Sequence, residues 1–268
     1  DNGSNNLFGG AVAQYRNLLA IGETQANRDG IIGAGTVHLY RLENNGTFSL
    51  LSESSATDKE SYAVFGGSIS ISGNKLAIGS TYRDESGLNN AGAAYLFNIE
   101  DNGSTSIIGK LTAPNLETNA TFGKVSISGN LLAVSSMFAD PSDLTDAGAA
   151  YIYRIEDNGS VTFLNEITSF DKNANDNFGN NLSLDGNLLV VGSEYSNPEG
   201  LVNSGAVYIY RIGDNGSVTF TEKVTANDKE ANERFGSNVF LSGKLLAIAA
   251  VYESCLLYTS PSPRDVEE

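Results

Sequence analysis

Phe65-Gly66-Gly67-Ser68-Ile69-Ser70-Ile71-Ser72-Gly73-Asn74-Lys75-Leu76-Ala77-Ile78-Gly79 is the stretch on which the fold turns. Gly67 to Ser72 alternates serine with isoleucine, the period of two that separates the faces of a strand. Lys75 to Gly79 is almost entirely apolar, as a strand covered on both faces requires. Ser72-Gly73-Asn74 joins the two as a tight turn. Further out, Ala91 to Ile99 predicts a third strand and Ser104 to Thr112 a fourth, joined by Asp101-Asn102-Gly103. Asn-Gly tolerates the positive φ that a tight hairpin demands.

The stretch is one copy of a repeat. Phe-Gly occurs at Phe8, Phe65, Phe122, Phe178 and Phe235, in steps of 57, 57, 56 and 57 residues. Asn44-Asn45-Gly46-Thr47 returns as Asp101-Asn102-Gly103-Ser104 and again at Asp157 and Asp214, in steps of 57, 56 and 57. Two markers keeping one register define the architecture. Four antiparallel strands per unit of about 57 residues describe a β-propeller blade, so the chain is all-β, with four full blades and part of a fifth. Apolar runs such as Leu188-Leu189-Val190-Val191 suit strands packed between blades. Small residues, among them Ser68, Ser70, Gly92, Ala93, Gly148 and Ala149, suit the crowded axis on which blades converge. Each Phe of a Phe-Gly pair is expected to wedge between neighbouring blades, its Gly permitting close backbone approach. Lone His38 falls, on adding the repeat, in the column of Tyr95, Tyr151 and Tyr208, which makes it a strand aromatic rather than a catalyst or metal ligand.

Blades are expected to start near residues 8, 65, 122, 178 and 235, and repeats to occupy residues 1–254. The stretch 255–268 shares nothing with any repeat and is expected to be a non-native tail; it contains Cys255, the lone cysteine. Asp1 begins in mid-pattern, so no signal peptide is visible and the rest of the parent propeller is expected to be missing, leaving an open arc or a distorted ring. A net charge of −16 repels phosphate backbones and argues against nucleic acid as partner, while leaving positive partners, divalent cations included, open. No apolar run is long enough to span a bilayer, so no membrane insertion is expected.

Phe-Gly in each first strand, Leu76-Ala77-Ile78-Gly79 or Leu189-Val190-Val191-Gly192 in the second, and Gly92-Ala93-Ala94-Tyr95 or Gly205-Ala206-Val207-Tyr208 in the third resemble the FG-GAP repeat of integrin α-subunits and bacterial surface proteins. The resemblance covers residues 1 to about 254. It implies an extracellular or cell-surface protein of bacterial type that binds a protein or glycan ligand, and it implies calcium held by DxDxDG loops. Those loops are absent here. The turns Ser72-Gly73-Asn74, Ser128-Gly129-Asn130 and Asp185-Gly186-Asn187 hold at most one carboxylate each, against the six to eight oxygens of a calcium cage. No cofactor or metal is therefore expected.

Acidic groups gather in the other loops. The link between second and third strands carries the column Asn27, Asp84, Asp140, Asn197, and the link between blades the column Asp58, Asn115, Asp171, Asp228. Both loop types emerge on one blade face. Asp58, Asp84, Asp140, Asp171, Asn197 and Asp228 are accordingly the candidate ligand-binding residues, against the plainer reading that Asp and Asn cap turns. No residue is assigned a catalytic role, because triad, zinc and phosphate-loop patterns are absent. The expected function is a non-enzymatic binding, adhesion or scaffold module. The alternative is a carboxylate-based hydrolase or lyase using the same loop face. A calorimetric titration with calcium is expected to show no micromolar binding; such binding would contradict the interpretation of the hairpins as plain turns.

Overall fold

The computed structural model describes residues 6–252 and 258–261. The first repeat holds β1 (Phe8–Tyr15), β2 (Leu18–Glu23), β3 (Thr36–Leu42) and β4 (Phe48–Ser54). The second holds β5 (Phe65–Ser72), β6 (Lys75–Ser80), β7 (Ala93–Ile99) and β8 (Thr105–Leu111). The third holds β9 (Lys124–Ser128), β10 (Leu131–Ser136), β11 (Ala149–Ile155) and β12 (Val161–Ile167). The fourth holds β13 (Leu182–Asp185), β14 (Leu188–Ser193), β15 (Ala206–Ile212) and β16 (Val218–Val224). The fifth is partial, with β17 (Phe235–Ser242), β18 (Leu245–Ala250) and β19 (Tyr258–Pro261). Each of the first four is one four-stranded sheet in sequence order, and the fifth has three strands among the described residues. These are propeller blades. Of the stretch 255–268, Tyr258–Pro261 pairs with β18, and the remainder, Cys255 included, lies outside the described residues.

The register repeats with the sequence. Ile21 faces His38, Ile78 faces Tyr95, Val134 faces Tyr151 and Val191 faces Tyr208, so the histidine occupies the strand slot that tyrosine takes elsewhere. His38 is buried against the Phe8 ring, with Glu23 and Glu53 carboxylates 2.8 and 3.2 Å from its ring nitrogens. The Asn-Gly-Ser/Thr segments are turns: Asn102 Oδ1 accepts the Ser104 N–H at 2.9 Å, and Asn158 and Asn215 do the same for Ser160 and Ser217.

The chain forms two compact units, one reaching to Gly129 with Asp157–Val161, the other comprising Asn130–Glu156 and the chain from Thr162 onward. In the first unit, Ala20, Val37 and Leu39 of the first blade pack with Phe65, Leu76, Ile78, Tyr95 and Phe97 of the second. In the second unit, alternate residues of β14 serve different interfaces. Leu189 and Val191 join Leu131, Ala133 and Ile152 of the third blade, whereas Leu188 and Val190 join Phe235, Val239 and Leu246 of the fifth. That is why Leu188 to Val191 of β14 is apolar without alternation. Phe65, Phe122 and Phe178 are fully buried; sequestering each ring is worth about 2–3 kcal/mol. Phe8 departs from the expected wedge: it is 55% exposed, since no repeat precedes it among the described residues.

The Phe-Gly pair seats on the Gly-Ala pair that opens the third strand of the preceding blade. Phe122 N–H donates to Ala91 O at 3.0 Å, Phe178 to Ala147 O at 2.9 Å and Phe235 to Ser204 O at 2.9 Å. A methyl on Gly92, Gly148 or Gly205 would lie 2.1 Å from the carbonyl oxygen of the facing Phe. Backbone therefore touches backbone, which only glycine permits. The first-strand serines complete the junction. Ser68, Ser70 and Ser72 hydroxyls accept the backbone N–H of Val125, Ile127 and Gly129, 57 residues later, at 3.0, 3.0 and 2.9 Å. The serines of the alternating pattern are thus more than small: they satisfy backbone groups of the next blade. Asp185, the lone hairpin carboxylate, does likewise for Gly243 N–H at 2.7 Å.

Gly92 and Gly87 share nearly the same backbone, φ +85° and +82°, but nothing lies within 4 Å of a methyl built on Gly87. Gly87→Ala is therefore expected to cost about 1–2 kcal/mol, the left-handed penalty alone, and Gly92→Ala about 2–3 kcal/mol more through overpacking. Urea denaturation of both variants checks this; equal losses would contradict it.

Candidate functional site

In the first four repeats, the link between second and third strands is built on one side-chain cap. Asn27 Oδ1 accepts the Gly33 N–H at 2.9 Å, Asp84 Oδ1 the Asn90 N–H at 2.8 Å, Asp140 Oδ1 the Asp146 N–H at 2.7 Å and Asn197 Oδ1 the Asn203 N–H at 2.6 Å. This Asx cap lets a short polar side chain stand in for the missing backbone partner. One oxygen of Asp84, Asp140 and Asn197 is thus engaged within its own loop.

The second column has a different role. Asp58 accepts the Tyr95 hydroxyl at 2.7 Å and pairs with Lys110 at 2.9 Å and Arg83 at 3.0 Å. Asp171 accepts the Tyr208 hydroxyl at 2.8 Å, Ser169 Oγ at 3.1 Å and Lys223 Nζ at 2.6 Å. The same Asp–Tyr–Lys constellation therefore recurs in the second and fourth repeats, the linker Asp reaching onto the third and fourth strands of the blade that follows. Asp140 lies in the third repeat, and Asp228, exposed, in the link preceding the fifth. Burial would raise the Asp171 carboxyl, but hydrogen bonds from Lys223 and Tyr208 outweigh it and hold the group below its ordinary value. Burial and the Asp171 hydrogen bond push the Tyr208 phenol upward.

Around the fourth repeat's constellation a cavity of about 420 Å³ opens, lined by Asp171, Asn173, Asp176, Ser196, Asn197, Pro198, Glu199, Tyr208, Lys223 and Thr225. Two of the six sequence candidates, Asp171 and Asn197, meet there. Asp176 was not among them. It is 1% exposed, its Oδ2 accepts the Asn173 N–H at 2.7 Å, and its Oδ1 is buried with no hydrogen-bond partner. Burial pushes this carboxyl above its ordinary value, opposed by Asn173 and reinforced by the Asp171 charge.

The sequence pattern of the FG-GAP repeat matches residues 52–97, 106–153 and 161–210, more than half of the chain. The chain belongs to the FG-GAP repeat family. The matched FG-GAP windows run from the last strand of one blade to the third strand of the next, and so contain the linker residue Asp58, Asn115 or Asp171, the Phe-Gly pair and the third-strand Tyr. No curated protein matches the chain. Among solved structures, the periplasmic gluconolactonase PpgL of Pseudomonas aeruginosa aligns with TM-score 0.57 and 14% identity over 93% of this chain and 70% of its own. Sqt1 of Chaetomium thermophilum aligns with TM-score 0.51 and 16% identity over 92% of this chain and 57% of its own. At these identities the likeness is one of fold. Among the described residues of this FG-GAP chain, no helix is long and apolar enough to cross a membrane.

Because the folded Asp176 binds its proton more tightly than the unfolded chain does, its contribution favours folding below the unfolded pKa and is lost as pH rises through the folded one. Asp176→Asn removes that titration. Relative to the variant, the parent chain is expected to lose melting temperature as pH increases from 4 to 7; a difference that stays flat or reverses would contradict the assignment.

Proposed function

We propose that this FG-GAP chain is a non-enzymatic binding module of a secreted or surface-displayed protein, and that it takes a protein or glycan ligand on its acidic loop face at the cavity of the fourth repeat. The observation that carries this is the cavity, whose 420 Å³ is within the span of small-ligand pockets. Its lining gathers hydrogen-bonding groups from three loops and two strands, and Asp171 is held rigidly there by Tyr208 and Lys223. Rigid polar groups in a concave site are the usual basis of specific recognition.

A second reading, a carboxylate hydrolase or lyase, draws on one observation. Asp171 and Asp176 line one cavity and are pushed to opposite sides of the ordinary value, as a base and an acid would be.

Both are tested by exposing the chain to printed arrays of oligosaccharides and peptides, then titrating any captured compound. Asp171→Asn is expected to weaken capture about tenfold or more, while Asp84→Asn, in the second repeat, leaves it unchanged. Capture indifferent to Asp171→Asn would overturn the placement, and mass-spectrometric detection of cleaved or eliminated product would favour the enzyme.

A further inference from the structure

We propose that the cavity of the fourth repeat is a site for an organic cation, an ammonium or guanidinium group of the ligand, which takes the place that the Arg83 side chain fills in the second repeat. The inference rests on the binding reading above and adds the chemistry of the ligand.

The second and fourth repeats align residue for residue, 113 positions apart. Arg83 N–H donates to Ser80 O at 3.3 Å, and Ser196 N–H to Ser193 O at 3.2 Å. Gly92 N–H donates to Arg83 O at 2.9 Å, and Gly205 N–H to Ser196 O at 3.0 Å. The loops share one backbone, and both place an Asp on a Tyr hydroxyl and a Lys ammonium. What differs is the filling. In the second repeat the Arg83 guanidinium, 12% exposed, lies among three carboxylates: Asp58 at 3.0 Å, Glu60 at 3.5 Å and Glu85 at 3.4 Å. In the fourth repeat the counterpart is Ser196, whose hydroxyl turns back onto Ser193 O at 2.9 Å. The counterparts of Asp58, Glu60, Arg83, Asp84 and Glu85, namely Asp171, Asn173, Ser196, Asn197 and Pro198, are all cavity-lining. The cavity is therefore the volume from which the internal cation has been deleted.

Negative charge has been placed there as well. Position 176 corresponds to Ala63 and Ala120, both buried, and to Glu233 of the partial fifth repeat, which is also buried with one carboxylate oxygen unpartnered. The fold thus accepts a methyl at this point in two repeats, yet carries in the fourth a buried carboxylate with an oxygen left unpaired. An unpaired buried carboxylate oxygen is destabilising, typically by more than 1 kcal/mol, so structure alone gives no reason for it. The ionisable groups around it are Asp171, Tyr208 and Lys223, with Glu199 at the rim. Lys223 is already spent on Asp171 at 2.6 Å, and Glu199 is paired with Lys229 at 3.0 Å. Asp176 is the carboxylate of this cavity that has no cation of its own. A ligand N–H cation supplies both the missing hydrogen bond and the missing charge, as charge-assisted bonds do best in a sheltered site. The net charge of −16 draws such a ligand in.

Calorimetric titration with three probes decides the matter: glucosamine and Nα-acetylarginine methylamide, which carry the cation on a sugar and on a peptide, and N-acetylglucosamine, which is neutral. At least one cationic probe is expected to bind, about tenfold or more tighter than the neutral one, and the stronger of the two names the source. Ser196→Arg, which restores the arrangement of the second repeat, and Asp176→Ala, which restores the residue of Ala63 and Ala120, are each expected to reduce cation binding at least about tenfold. Both are expected to melt at or above the parent temperature, so loss of binding is separable from loss of fold. Equal binding of neutral and charged sugars, or binding indifferent to both substitutions, overturns the cation proposal while leaving a binding module. Absence of binding by all three probes at millimolar concentration overturns the cation proposal; if the arrays also capture nothing, the binding reading falls with it.

Discussion

Everything else in this fold depends on a contact between two stretches of bare backbone. Where the Gly-Ala start of a third strand meets the Phe-Gly start of the next repeat, the chains approach so closely that a single methyl on Gly92, Gly148 or Gly205 would sit 2.1 Å from a carbonyl oxygen. The hydrogen bond from each Phe N–H across this junction fixes the repeats in angle and height. Once they are fixed, the Phe ring is shut into the interface and the second strands are covered on both faces. The first-strand serines then fall within 3.0 Å of backbone donors one repeat away. Glycine freedom at a few positions thereby converts a local motif into a stack of packed sheets.

The same periodicity that made the blades legible in the sequence concealed the site. Phe-Gly spacing gave the blade boundaries, and adding one repeat length placed His38 in its tyrosine slot, because packing and register recur. The loop columns were also visible, and the structure seats Asp171 and Asn197 in one cavity. What the columns could not show was which loops are filled. Arg83 and Ser196 stand in a column that also holds Ala26 and Ala139, and Asp176 in one that holds Ala63 and Ala120, with Glu233 its acidic counterpart in the fifth repeat. Of the residues that line the cavity, Ser196 and Asp176 are ones that differ from the alanines of their columns. The unpaired state of Asp176 Oδ1 depends on three-dimensional neighbours and has no signature in sequence.

Second and fourth repeats then show how one scaffold can be closed or open. Where the chain supplies its own guanidinium, the acidic groups are neutralised internally and the loop face is filled. Where serine replaces arginine, the Asp–Tyr–Lys constellation persists and a cavity lies beside it. An unpartnered buried oxygen at Asp176 costs stability locally, while the repeat junctions hold the surrounding strands in place.

The state of Asp176 is the centre of this account, and carbon NMR of its side-chain carboxyl measures it directly. The expected result is a titration midpoint above that of an ordinary aspartate, moving downward when a cationic probe fills the cavity. A carboxyl that titrates as low as Asp171, unmoved by the probe, would contradict it.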